Sequence, residues 1–185
     1  MTPGLPPTGG IPPRKEGRTM KKREERTTLR ASDLTQRLRS EDPVTREEAC
    51  KALIGLGRPA VPPLVDTLSD PLDHARREAA RALSRIHDPT SAPALVQALE
   101  DELPGVRWLA GEGLIAMGRG GFVPLLRALI SRSDSVRLRQ GAHHVLRSLS
   151  AGEHGRQLAL VLEALEGPEP ISALPVAAFN ALKEL

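Results

Sequence analysis

Apolar residues recur along this chain at helical spacing, and the whole pattern then returns about thirty residues later. Ala49, Leu53 and Leu56 occupy positions 0, 4 and 7 of one stripe. The same spacing returns at Ala79, Leu83, Ile86, at Ala110, Leu114, Met117, and at Ala142, Leu146, Leu149. Positions 0, 4 and 7 share a face of an α-helix, so each segment is predicted to be an amphipathic helix with a small residue at its closest approach. An arginine stands three before each alanine: Arg46, Arg76, Arg107 and Arg139. A second stripe follows each first one, in the octets "VPPLVDTL" (61–68), "APALVQAL" (92–99), "FVPLLRAL" (122–129) and "LALVLEAL" (158–165). Each octet has Leu or Val at its fourth and fifth positions and Leu at its eighth, again one helical stripe. Turn-forming stretches separate the two stripes: "GRPA", "HDPTSAP", "GRGG" and "SAGEHG".

The pattern therefore predicts a helix–turn–helix unit used four times, over about 41–70, 71–101, 102–132 and 133–167. Fragments stand at both ends. "ASDLTQRL" (31–38) keeps the second-helix stripe through Leu34 and Leu38. A terminal helix over 174–185 keeps the first-helix stripe through Ala178, Leu182 and Leu185, with Pro175 at the arginine position as a helix opener. The fold class expected is all-α, an α-α superhelix of about four helix pairs plus a partial unit at each end.

Tandem pairs reading "DPVTREEA", "DHARREAA" and "HDPTSAPALVQALED" resemble HEAT repeats of the short bacterial type, similar to those of phycobilisome-lyase-like proteins. The resemblance runs from about Ser40 to Leu185. It implies an arginine ladder between repeats, in which an acidic residue before the first helix pairs with the arginine inside it. Asp42 with Arg46, Asp73 with Arg76 and Asp134 with Arg139 match that arrangement, while Asp101 or Glu102 stands farther from Arg107, and Arg137 competes for the fourth rung. It implies little about function, since such repeats serve scaffolds, lyases, hydroxylases and DNA-repair proteins alike.

Charge changes the picture once it is divided along the chain. Residues 1–40 hold ten Lys/Arg against four Asp/Glu, while 41–185 hold sixteen against nineteen, so the net +3 comes from the leader and the repeats are mildly acidic. Residues 1–19 contain five prolines and four glycines, and a disordered leader over 1–30 is expected, first Pro/Gly-rich and then basic. Met20 is a second candidate start. The basic run 21–30 is either a solvated helix extension or an arm for nucleic acid or an anionic surface. No apolar run is long enough for a signal peptide or a membrane span, and the lone Cys50 suits a reducing compartment, so a cytoplasmic location is expected.

The search for chemistry points away from an enzyme. His74, His87, His143, His144 and His154 never precede a glutamate, whereas the resemblance to HEAT-type hydroxylases would require repeated His-Glu pairs to hold two irons. HExxH, CxxC and calcium-loop patterns are missing as well, so no metal or cofactor is expected. GxSxG is missing too, and Cys50 follows the packed Ala49. The outward residues of the second helices, Asp66, Gln97, Arg127 and Glu163, do not form a phosphate track, which disfavours DNA repair.

Partner chemistry is expected on the first helices. The outward positions of repeats two and four are polar: Arg77, Arg81, Ser84 and Gln140, His144, Arg147. In repeat three they are Trp108, Glu112 and Ile115, flanked by Leu109, as a protein-binding hot spot would require. The bland alternative is that Trp108 lies over a neighbouring repeat or under the leader. On the terminal helix, Val176 and Phe179 are expected to lack cover and to offer a second partner surface or a self-association surface. The function expected is a non-enzymatic adaptor or scaffold with a protein partner of unknown identity. The alternative is an accessory subunit of a lyase or hydroxylase.

Overall fold

The computed structural model describes residues 15–185, with side chains from residue 26 onward; the Pro/Gly-rich stretch 1–14 lies outside the described residues. The described residues are helical throughout: α1 (Lys15–Arg37), α2 (Pro43–Leu56), α3 (Val61–Thr67), α4 (Asp73–Ile86), α5 (Ala92–Ala98), α6 (Pro104–Ala116), α7 (Arg119–Ser131), α8 (Val136–Leu149), α9 (Gly155–Glu166) and α10 (Pro170–Lys183). Single 3-10 turns at Arg58–Ala60 and Pro89–Ser91 lead into α3 and α5. The expected disorder over 1–30 is corrected for its second half. The basic run belongs to α1, a helix of 23 residues that packs through Ala31 and Leu34 among its described side chains, with Leu38 buried just past its end. Leu29, two residues before Ala31, is exposed.

The predicted stripes form the core. Ala49, Ala79, Ala110, Ala142 and Ala178 are fully buried, as are Leu53, Leu83, Leu114 and Leu146. In the second helices Leu64, Leu95, Leu125 and Val161 are fully buried at the fourth octet position. First helices stack in one layer, α2 on α4 on α6 on α8, and each leans on the second helix of the preceding unit. Each such second helix, α1, α3 or α5, covers one side of the stripe that the following first helix cannot bury alone.

In the first three units the turn after the first helix passes through a residue of positive φ: Gly57 (66°), His87 (56°) and Gly118 (54°). This backbone region favours glycine, and histidine is among the few side chains that enter it. Of the predicted breaker "GRGG" only Gly118 acts as a turn, because Arg119, Gly120 and Gly121 already form the first turn of α7.

The fold is all-α, as expected, but the fourth unit breaks this rule and places its last two helices differently from the preceding units. After α8 the chain passes Ser150 at φ −65°, with no left-handed turn. α9 then packs on α8, and α10 returns across the molecule to pack on α7 as well as α9. Arg119 at the start of α7 donates to the Leu185 carbonyl at 2.8 Å, and Ser133 just beyond its end donates to the Ile171 carbonyl at 2.8 Å, so α10 runs antiparallel to α7. Helices α7 to α10 therefore close an up-down-up-down bundle, and α10 does not open a fifth unit of the stack. α10 also starts earlier than expected, with Pro170 in its first turn and Pro175 inside it.

Candidate interaction surface

The four in-register arginines share a partner that the sequence reading did not foresee. Each guanidinium donates to the backbone carbonyl six residues before it: Arg46 to Ser40 (2.7 Å), Arg76 to Asp70 (2.9 Å), Arg107 to Asp101 (2.8 Å) and Arg139 to Ser133 (2.6 Å). Each of these carbonyls stands two or three residues past the end of a second helix, and a charged fork reaching back from the next helix gives that loop carbonyl its partner. In two of the units the side chain at that position also ties down the loop ahead of the next helix: the Asp70 carboxylate accepts from Leu72 N–H and that of Asp101 from Leu103 N–H.

The expected acid–arginine pairs hold in one case of three. Asp73 meets Arg76 at 2.9 Å. Asp42 instead caps α2, accepting from Val44 and Thr45 N–H and from the Thr45 hydroxyl, and these bonds hold its carboxyl below the usual carboxylate range. Arg46 acts on it only as a nearby charge. Asp134 is exposed and has no bond to Arg139; Ser135 caps α8 in its place. The rung between repeats is made by Arg76 with Asp101, at 2.8 Å, both nearly buried, and Asp101 is the main cause of a raised Arg76 pKa. Glu100 makes a further link, taking Arg132 and the Ser135 hydroxyl.

The Trp108 surface rests on this frame. Trp108 is 57% exposed, yet its ring lies 4.7 Å from that of His144 on α8, tilted by 32°. His144 Nε2 reaches Glu112 Oε1 at 3.1 Å, so Trp108 and Glu112 on α6 grip one side chain of the next unit. Two glycines permit the approach. A Cβ on Gly111 would stand 3.2 Å from His144 Cδ2, and one on Gly141 would stand 2.9 Å from Leu99 Cδ2. Beside the ring lies a groove of about 200 Å³ walled by Pro104, Trp108, Gln140 and His144, with Arg107 and Arg137 among its lining residues. Of the other predicted surface residues, Leu109 and Ile115 are half-buried and pack on the core, a correction to the expected outward position of Ile115. Trp108 thus combines both readings, since it leans on a neighbouring repeat and still presents more than half its surface.

On the terminal helix Val176 (62%) and Phe179 (53%) are exposed, with Lys183 Nζ 5.2 Å from the centre of the Phe179 ring. His143 bonds Glu166 at 2.8 Å while its neighbour His144 turns to Glu112, so the two imidazoles serve different helices. Cys50 is buried, its thiol 3.8 Å from the Glu78 carbonyl. Among the described residues no three His, Cys, Asp or Glu side chains converge as a metal site would need, and no helix is long and apolar enough to cross a membrane.

Comparison with known proteins agrees with the stacked-pair geometry. Human deoxyhypusine hydroxylase in complex with glycerol superposes with a TM-score of 0.50 at 24% identity, over 85% of this chain and 63% of that one. The chain thus spans under two thirds of that enzyme's length, and the likeness is one of fold. An engineered protein is matched at a TM-score of 0.42 and 19% identity over 92% of both chains. No curated protein sequence matches. The family model for HEAT repeats matches residues 31–115, from the packed end of α1 through α6. Over these units the chain is similar to HEAT repeats.

Proposed function

We propose that the chain is a non-enzymatic protein-interaction adaptor of the bacterial cytoplasm, akin to the short repeats of phycobilisome-lyase-like proteins, and that Trp108 anchors its partner. One observation carries this reading: a large aromatic ring, more than half exposed, lies against the His144 ring and is bordered by a groove. Aromatic anchors on fixed elements cost little entropy on binding and dominate interface energies. Arg107 and Arg137 line the groove and Arg77 is exposed beside Gly105, which suits a partner segment with an apolar residue flanked by carboxylates. Affinity purification with quantitative mass spectrometry, comparing the wild type with Trp108→Ala, tests the reading. Loss of a hot spot should weaken the specific partner by roughly thirty-fold or more with the melting temperature unchanged. Identical partner sets for the two proteins would end the proposal.

The alternative, an accessory subunit of a lyase or hydroxylase, draws support from the fold it shares with deoxyhypusine hydroxylase. Recovery of a single such enzyme, lost in Trp108→Ala, would make the adaptor that subunit.

A further inference from the structure

The closed bundle leaves one long groove on its outer side, about 750 Å³ between α9 and α10. Leu160, Ala164 and Glu163 form its α9 wall; Ala173, Val176 and Asn180 are on its α10 wall. Leu160 is 53% exposed and Val176 is 62% exposed, so the groove carries apolar surface along its length. Glu169 and Lys183 lie seven residues before and after Val176, both exposed. Seven residues are nearly two helical turns, so the three side chains share one face, each charge about 10 Å along the axis from Val176.

From this arrangement we propose that the α9–α10 groove is a self-association surface, occupied by α10 of a second copy of this chain in a two-fold antiparallel pair centred on Val176. An isologous contact demands a surface that complements itself when reversed. Reversing α10 about Val176 lays the copy's Lys183 against Glu169 and the copy's Glu169 against Lys183, so every charge is answered and the pair holds two such contacts. Glu163 on α9 adds a second carboxylate beside the groove for the copy's Lys183. Ser172, Ala173 and Ala177 are small enough for the facing helix to approach closely, while Val176 and Leu160 supply the apolar contact. A shallow crossing, near the +20° of interlocked helix pairs, keeps both charge pairs in reach. Phe179 stands at the margin of this face, where its ring carries Lys183.

The charge pattern allows a test that generic stickiness would fail. Sedimentation velocity on the full chain over a concentration series should show a monomer–dimer equilibrium. Glu169→Lys alone and Lys183→Glu alone should each raise the dissociation constant about five-fold or more, because each puts like charges opposite one another twice. The double variant Glu169→Lys/Lys183→Glu should recover the wild-type constant, and Val176→Asp should abolish the dimer with the circular dichroism unchanged. A wild type that stays monomeric at every concentration overturns the proposal. So does a dimer that survives Val176→Asp, or single swaps that the double swap fails to rescue. Trp108→Ala should leave the dimer intact, so the two surfaces stand or fall separately.

Discussion

At the scale of single residues, Arg76 shows why the arginines recur. Its guanidinium serves the Asp70 carbonyl, the Asp73 carboxylate and the Asp101 carboxylate at once, and its side chain is 13% exposed. Removing it strands Asp101, itself 9% exposed, without its counter-charge. Arg76→Ala should therefore lower stability by about 1–3 kcal/mol in urea denaturation, the scale of a charged hydrogen bond lost from a buried site. A variant that melts like the wild type while losing partner binding would contradict a structural role. Cys50 offers a pH test. Burial, with the Glu78 charge second, pushes its thiol from 9.0 up to about 11. Below pH 9 the thiol is neutral in folded and unfolded chains alike. Between 9 and 11 only the unfolded chain ionises it, so its contribution to stability declines across that window. A thiol reagent at pH 8 should accordingly label the native protein far more slowly than the denatured one, and equal rates would show the site to be open.

At the scale of elements, the first three units were legible because each local choice agreed with the stripe. Glycine or histidine takes the left-handed turn, a short 3-10 turn or its helical equivalent follows, and the octet begins twelve or thirteen residues after the stripe alanine. In the fourth unit the octet begins sixteen residues after Ala142, and Ser150 replaces the turn residue. That longer spacing was the available signal that α9 would leave the second-helix position. Stripe matching alone misses it, since α9 and α10 are amphipathic in either arrangement. The arginine partners were missed for another reason: backbone carbonyls leave no trace in residue identity. The Trp108 site was half legible. An outward tryptophan follows from helical phase, but its grip on His144 depends on Gly111 and Gly141, whose meaning appears only once two helices are set side by side.

At the scale of the whole molecule, the stack is closed at one end, where α10 packs on α7 and α9. Each internal unit leans on its neighbours alone, whereas the α7 face is covered by an element starting nearly forty residues later in the chain. Truncation after Glu166 should reduce amide protection in α7 as well as in α9, because Leu125 and Leu129 are among the buried residues of the cluster that α10 joins. Hydrogen exchange would show the difference, since loss confined to α9 is what a plain stack would give. The same closure gives the chain an order of assembly during synthesis. Units one to three can stack as they leave the ribosome, each contact being local. At ~5–20 residues per second, translation from Ser131 to Lys183 takes roughly 3–10 s, and during that interval the α7 surface meant for α10 has only water or a chaperone to meet it.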